Sequence, residues 1–218
     1  AEGVTGLRKL ASLDKAPVIM TIFTGIGLAQ KPVAEELKVV LFSSGIQNPS
    51  FAFDNEWVFR NALNTLWNAD ALVRYVQDEA GVDLRGETWA VIKEEGNDSI
   101  DLQVMRLEKL GEHFGFTVAV ETFQKGDAKF DTQITKIKKL NAKVVQTMAL
   151  GQELGLMINT MAQMKLEPEF LLSGGGAEGN VDLLRISGDA ANGLIYSAPA
   201  YDPGVDPRAK RFMECYAA

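Results

Sequence analysis

The feature that most limits what this chain becomes is an alternation of two patterns. Short runs rich in aliphatic and β-branched residues are separated by longer stretches in which apolar residues return at helical spacing. The runs PVIMT (17–21), KVVLFS (38–43), WAVIK (89–93), FTVAVETF (116–123), AKVVQTMA (142–149), EFLLS (169–173) and GLIYSAP (193–199) predict strands. Most are apolar throughout, the pattern of strands covered on both faces. Between them, Ile100, Val104, Leu107, Leu110 and Phe114 mark an amphipathic helix over 98–115. Phe130, Ile134, Ile137 and Leu140 mark another over 128–140, and Leu154, Met157, Ile158 and Met161 a third over 151–165. Strand and helix in turn predict an α/β fold with a doubly wound parallel sheet.

Open parallel sheets bind ligands in the loops that follow their strands. Here those loops are TIFTGIG (21–27), FSSGIQNPS (42–50), KEEGNDS (93–99), TMALGQE (147–153) and SGGGAEGN (173–180). They are rich in Gly, Ser, Thr, Asn and Gln and lead into helix N-termini, where backbone amides favour small anions, a carboxylate above all. The last loop also spells G-x-G-x-x-G with Gly174, Gly176 and Gly179, and Asp202 stands where a ribose-binding acid would. A dinucleotide fingerprint needs a long helix opening on its third glycine. Only NVDLLRIS separates Gly179 from GDAANG, about two turns, and the motif comes late in the chain. A flexible strand-to-helix turn is the better reading, with a nucleotide-dependent enzyme as its rival.

The chemistry-bearing residues do not form a catalytic set. His113 is the sole histidine and belongs to a helix C-terminus beside Gly115, where the helix dipole favours it. Cys215 is the sole cysteine, which excludes an intrachain disulfide and a zinc ribbon. Glu94 and Glu95 are adjacent on an extended segment and point apart, so they make no carboxylate pair. Met148, Met157, Met161 and Met164 recur at helical spacing, which favours core packing over a soft-metal face. KIKK (136–139) reads as a solvated helix face, and no G-x-S-x-G is present. With no nucleophile, base and orienter to name, the chain is expected not to be an enzyme, and to need no cofactor or metal. The net charge of −7 argues against nucleic acid as a partner. No apolar run approaches the roughly 18–20 residues of a membrane span, and AEGVTGLRKL has no signal-peptide pattern.

Four stretches, in collinear order over nearly the whole chain, carry a resemblance. They are LAQKPVAEELKVVLFSSGIQNP, WVFRN, KFDTQITKIKKLNAKVVQ and ISGDAANGLIYSAP. Together they resemble the type I periplasmic binding proteins, specifically the branched-chain amino-acid (leucine/isoleucine/valine) receptors of ABC importers. The resemblance implies two lobes of doubly wound parallel sheet with a ligand cleft between them. Residues 1–62 would be the later part of the first lobe, 63–199 the second lobe and 200–218 a return segment past the hinge. The family's opening β-α-β-α and its closing part have no counterpart here, so the first lobe would be incomplete and the chain a fragment. Two sheets dividing near Asn61–Asn64, with some apolar surface uncovered, are therefore expected.

The resemblance also implies a site and a role. The ligand's carboxylate would meet Thr24 on one first-lobe loop, and Gly45 and Gln47 on the next, where Gln47 replaces the family's usual threonine. The second lobe would contribute Asp98 and Leu150, at positions where the family often has an aromatic, and Glu178 near an ammonium group. The implied function is an extracytoplasmic, periplasmic solute-binding receptor that delivers an amino acid, amide or aromatic acid to a membrane permease. A ligand-sensing domain of the same fold is the alternative.

Overall fold

In the computed structural model, residues 2–177, 180–198, 204 and 206–216 are described. Glu178, Gly179, Pro199 and Asp202 lie outside the described residues. Two separate parallel sheets form. The first has three strands, β1 (Val18–Met20), β2 (Val40–Ser43) and β3 (Val58–Arg60), in that order. The second has five: β4 (Thr88–Glu94), β5 (Thr117–Phe123), β6 (Val144–Met148), β7 (Phe170–Ser173) and β8 (Ile195–Tyr196), ordered β5-β4-β6-β7-β8. The chain leaves the first sheet at Arg60 and enters helix α3 (Leu66–Arg74), which widens into a π turn over Tyr75–Glu79.

Strand register explains the core of the first lobe. Ile19 pairs with Leu41, and Leu41 with Val58, so one row of three buried side chains crosses the sheet. Helices α1 (Glu2–Ser12) and α2 (Thr24–Leu37) cover that row with Leu7, Val33 and Ala34. The two helices are clamped together by Arg8, whose guanidinium donates to both carboxylate oxygens of Glu36 at 3.0 and 2.7 Å. The next row, Met20, Phe42 and Phe59, faces the other way, and Met20 is 64% exposed. Both described helices of this lobe lie on one face, so the strands here are not covered on both faces as their apolar runs predict. The Met20 row is the uncovered apolar surface expected of an incomplete first lobe. Val58–Arg60 is also a strand that the apolar runs do not mark.

The bare row carries a consequence for solution behaviour. Replacing Met20 with Lys is expected to change stability by no more than about 0.5 kcal/mol, as for other exposed positions. It should also lower self-association of the isolated chain, because it breaks a contiguous apolar patch next to an unpaired strand edge. Sedimentation velocity checks this. An unchanged distribution would show that this face makes no contact between copies.

The second sheet is sandwiched. Trp89 and Val91 of β4 face α3 and α4 (Asp98–Phe114), joining Leu72, Val76, Leu107 and Leu110. Ala90 and Ile92 face α5 (Asp131–Leu140) and α6 (Gly151–Gln163), joining Ile134, Ile137, Leu154 and Met157. The period-two alternation along one strand thus supplies both layers. Asn97 starts α4 by accepting from Ile100 N, and Gly115 ends it in the left-handed region at φ 83. His113 sits in that last turn, as the sequence implies. Met148, Met157 and Met161 are buried in these clusters. Lys136, Lys138 and Lys139 are exposed while Ile137 between them is buried. Helix α7 (Val181–Ser187) spans about two turns, as the GDAANG boundary implies, and α8 (Pro207–Tyr216) carries the exposed Cys215.

Candidate functional site

Reversal of strand order fixes where the second sheet opens. After β4 the chain steps to one side for β5, then crosses back so that β6 lies on the other. The crevice at such a switch lies beyond the carboxyl ends of the two central strands, here Glu94 and Met148. A cavity of about 450 Å³ occupies this place, within the range of small-molecule sites. Its second-lobe wall comprises Glu94, the 96–100 loop and first turn of α4, Gln103, Lys125, Met148, Leu150 and Gly174–Gly176. Its opposite wall comes from the first sheet: Ile22, Phe23, Thr24 and Gly25 after β1, and Gly45 and Gln47 after β2, with Thr65 from the crossing.

Five of the six residues singled out from the sequence therefore line one cavity: Thr24, Gly45, Gln47, Asp98 and Leu150. The sixth, Glu178, lies outside the described residues. Of the motif glycines, Gly174 and Gly176 line the same cavity, and Gly179 lies outside the described residues.

The polar geometry is specific. Thr24 is the first residue of α2, whose N-cap, Phe23, offers no side-chain cap to the free amides. Helix α6 likewise begins at Leu150 without a side-chain cap. Both ends lie at the cavity wall: α2 has no acid in its first turn, so its free amides favour negative charge beside Thr24, whereas Glu153 in the first turn of α6 offsets that helix's dipole. The first turn of α4 differs: Asn97 caps it, and Asp98 and Asp101 offset its dipole. Thr24 Oγ1 meets Ser99 Oγ at 3.0 Å, a hydroxyl pair directly joining the two lobes. The Gly45 amide donates to Ser43 Oγ at 3.2 Å, so it is already engaged within its own loop. Gln47 Oε1 accepts from Asn68 Nδ2 at 3.2 Å and turns toward the lobe crossing.

Several lining residues were not singled out from sequence. Glu94 and Glu95 do point apart, as their adjacency on a strand predicts: Glu95 accepts from Gln124 Nε2, while Glu94 lines the cavity. Lys125 is the sole cation among the described lining residues. Gln103 is a polar position inside α4 and Thr65 immediately precedes α3, and only three-dimensional proximity reveals them. Among the described residues, no cluster of His, Cys, Asp and Glu is arranged to hold a metal. No described helix is long and apolar enough to cross a membrane.

A family model described as "Periplasmic binding protein" matches residues 1–218. The chain belongs to the periplasmic binding protein family. Leu/Ile/Val-binding protein homolog 1 of Brucella abortus is 26% identical over 211 residues, covering 95% of this chain and 53% of the relative. A leucine-binding protein of Thermotoga maritima superposes with a TM-score of 0.83 at 23% identity, over 99% of this chain and 60% of that one. A solute-binding protein of a Rhodopseudomonas palustris ABC transporter, solved in complex with 4-hydroxybenzoate, gives 0.73 at 18% identity, over 86% and 50%. At those identities the structures establish the fold. They make it the two-lobed type I architecture, in agreement with the branched-chain receptor group that the sequence resembles. The chain spans about half the length of its curated Brucella relative. Family and fold are those of solute-binding proteins, not enzymes.

Proposed function

We propose that this chain is the cleft-bearing part of an extracytoplasmic receptor that binds a small carboxylate and presents it to the permease of an ABC importer. One observation carries the reading. Loops from two separate sheets, scattered from Thr24 to Gly176, line a single cavity with uncapped helix starts on both of its walls. Domain limits of 1–62, 63–199 and 200–218 follow as part of this proposal, with the cavity between the first two. The carboxylate takes the α2 end beside Thr24. Asp98 and Glu94, on the other wall, suit a cationic or hydrogen-bond-donating group at the ligand's far end. Ile22, Phe23, Met148 and Leu150 supply apolar contact between them. An amino acid, an amide or an aromatic acid satisfies this pattern. The 4-hydroxybenzoate held by the Rhodopseudomonas protein, and the leucine, isoleucine and valine in the name of the Brucella homolog, fall in the same range.

Mass spectrometry of small molecules released from the full-length receptor tests the proposal. A carboxylate released in stoichiometric amount supports it, and a nucleotide released instead would overturn it. Once the ligand is known, Asp98→Asn is expected to weaken binding by about 1.5–3 kcal/mol, the range for a hydrogen bond to a charged group. Calorimetry checks this, and unchanged affinity would remove Asp98 from the site.

A further inference from the structure

Beneath the cavity runs a buried chain of side-chain hydrogen bonds that the proposed ligand contacts do not use. Trp89 Nε1 donates to Gln146 Oε1 at 2.9 Å, and Gln146 Nε2 donates to Gln103 Oε1 at 3.1 Å. Gln103 Nε2 then donates to the Gly174 carbonyl at 3.0 Å and to Thr65 Oγ1 at 3.5 Å. Thr65 Oγ1 in turn donates to the Ser99 carbonyl at 3.0 Å, and the Thr65 amide donates to the Gln47 carbonyl at 3.1 Å. Asn68 Nδ2 bridges Gln47 Oε1 and the Gly174 carbonyl at 3.2 and 3.4 Å. Trp89 and Gln146 are wholly inaccessible, and Gln103 and Thr65 are each 2% exposed.

From this geometry we infer that Gln103 is a positioning residue for ligand binding. It ties the glycine loop of the second lobe and the Gln47 loop of the first to one rigid support in the second sheet. The inference rests on the proposed reading of the cavity as a ligand site. Two features single out Gln103 over a generic core residue. A carboxamide buried among apolar neighbours is tolerated only when its hydrogen bonds are made, and here both ends are used in opposite senses. Hydrogen bonds also fix one orientation, whereas apolar contact permits sliding, so the chain specifies where Thr65 and Gly174 stand. Those two residues line the cavity, and Thr65 in turn holds the Gln47 backbone. Displacement of Gln103 therefore moves groups on both walls at once.

The test uses the full-length receptor carrying Trp57→Phe and Trp67→Phe, so that Trp89 is the reporter within this segment, with L-leucine and 4-hydroxybenzoate as probes. Gln103→Met keeps length and removes both hydrogen-bonding ends. Val104→Ala, in the adjacent apolar cluster, is the control for stability alone. Gln103→Met is expected to change the near-ultraviolet circular dichroism of ligand-free Trp89 and to weaken probe binding at least tenfold. Val104→Ala should leave both within twofold or unchanged, although it lowers the melting temperature by as much. Should Gln103→Met not fold, Thr65→Val breaks the same chain one link further on and is expected to weaken binding similarly. With both changes together, the loss should stay close to the larger single loss, because they act as one unit. Wild-type affinity in Gln103→Met, or an equal loss in Val104→Ala, would overturn the inference. If the parent receptor binds neither probe, the carboxylate released from it and identified by mass spectrometry takes their place in the same comparison. Release of a nucleotide instead would overturn the proposed function, while an unchanged Trp89 spectrum in Gln103→Met would overturn the inference.

Discussion

Gly174→Ala is expected to destabilise the protein by about 3 kcal/mol and to abolish the geometry of the cavity floor. A Cβ built on Gly174 falls 1.9 Å from Gln103 Oε1 and 2.5 Å from Gln146 Nε2. Neither amide can retreat freely, because Gln146 is held by Trp89 and the Gln103 amide donates to Gly174 itself. Overpacking a closed core costs about 1–3 kcal/mol. Each buried polar group left without its partner adds about 1–3 kcal/mol. Backbone preference is not the cause, since Gly174 does not occupy the left-handed region, unlike Gly176 at φ 83. Gly6→Ala provides the contrast. It lies within α1 with open space around it, so the same methyl is expected to stabilise by about 1 kcal/mol through helix propensity. Denaturant unfolding of both variants checks the pair. A Gly174→Ala midpoint equal to wild type would show that the two carboxamides do not approach as described.

That glycine also shows what was legible in the sequence. SGGGAEGN reads as a turn and not as a dinucleotide loop, because the two-turn length of the following helix is printed in the sequence. That Gly174 accommodates two glutamines is not, since Gln103 and Gln146 lie 71 and 28 positions away. The alternation of strands and helices was readable because each depends on neighbours within a few residues. Loops at strand ends were readable as a group for the same reason, and it was the family resemblance that picked out Thr24, Gly45, Gln47, Asp98 and Leu150 within them, residues that line one cavity. Three things were hidden. The strand Val58–Arg60 has only Val58 and Phe59 before the charged Arg60, too few apolar residues to stand out as a run. Glu94 was judged by its neighbour when its direction depended on the strand that carries it. The engagement of the Gly45 amide by Ser43 Oγ is decided by a hydroxyl rotamer that no pattern records.

Phe51→Ala is expected to be the most damaging substitution, costing about 3–5 kcal/mol, the range for removing a buried phenylalanine. It is fully buried and packs with Ile46 close enough that a Cβ on Gly27 would fall 2.4 Å from Ile46 and 2.9 Å from Phe51. Its position follows from the turn before it: Asn48 accepts from Ser50 N at 2.9 Å and Pro49 opens a short 3-10 turn, which swings Phe51 back beneath α2. The first lobe depends on one apolar cluster, with its sheet covered on a single face, so no second layer compensates for the void. The second lobe has separate clusters on both faces of its sheet and does not share Phe51. Unfolding should therefore become uneven. Hydrogen exchange is expected to accelerate through residues 18–60 while the amides of β4 and β6 keep their protection. Binding should fail even so, because the Gln47 loop is the chain segment that Phe51 anchors, and Thr24 sits at the start of the helix above it. Uniform acceleration across both sheets would show instead that the two lobes unfold as one unit, with the buried chain through Gln103 and Thr65 strong enough to couple them.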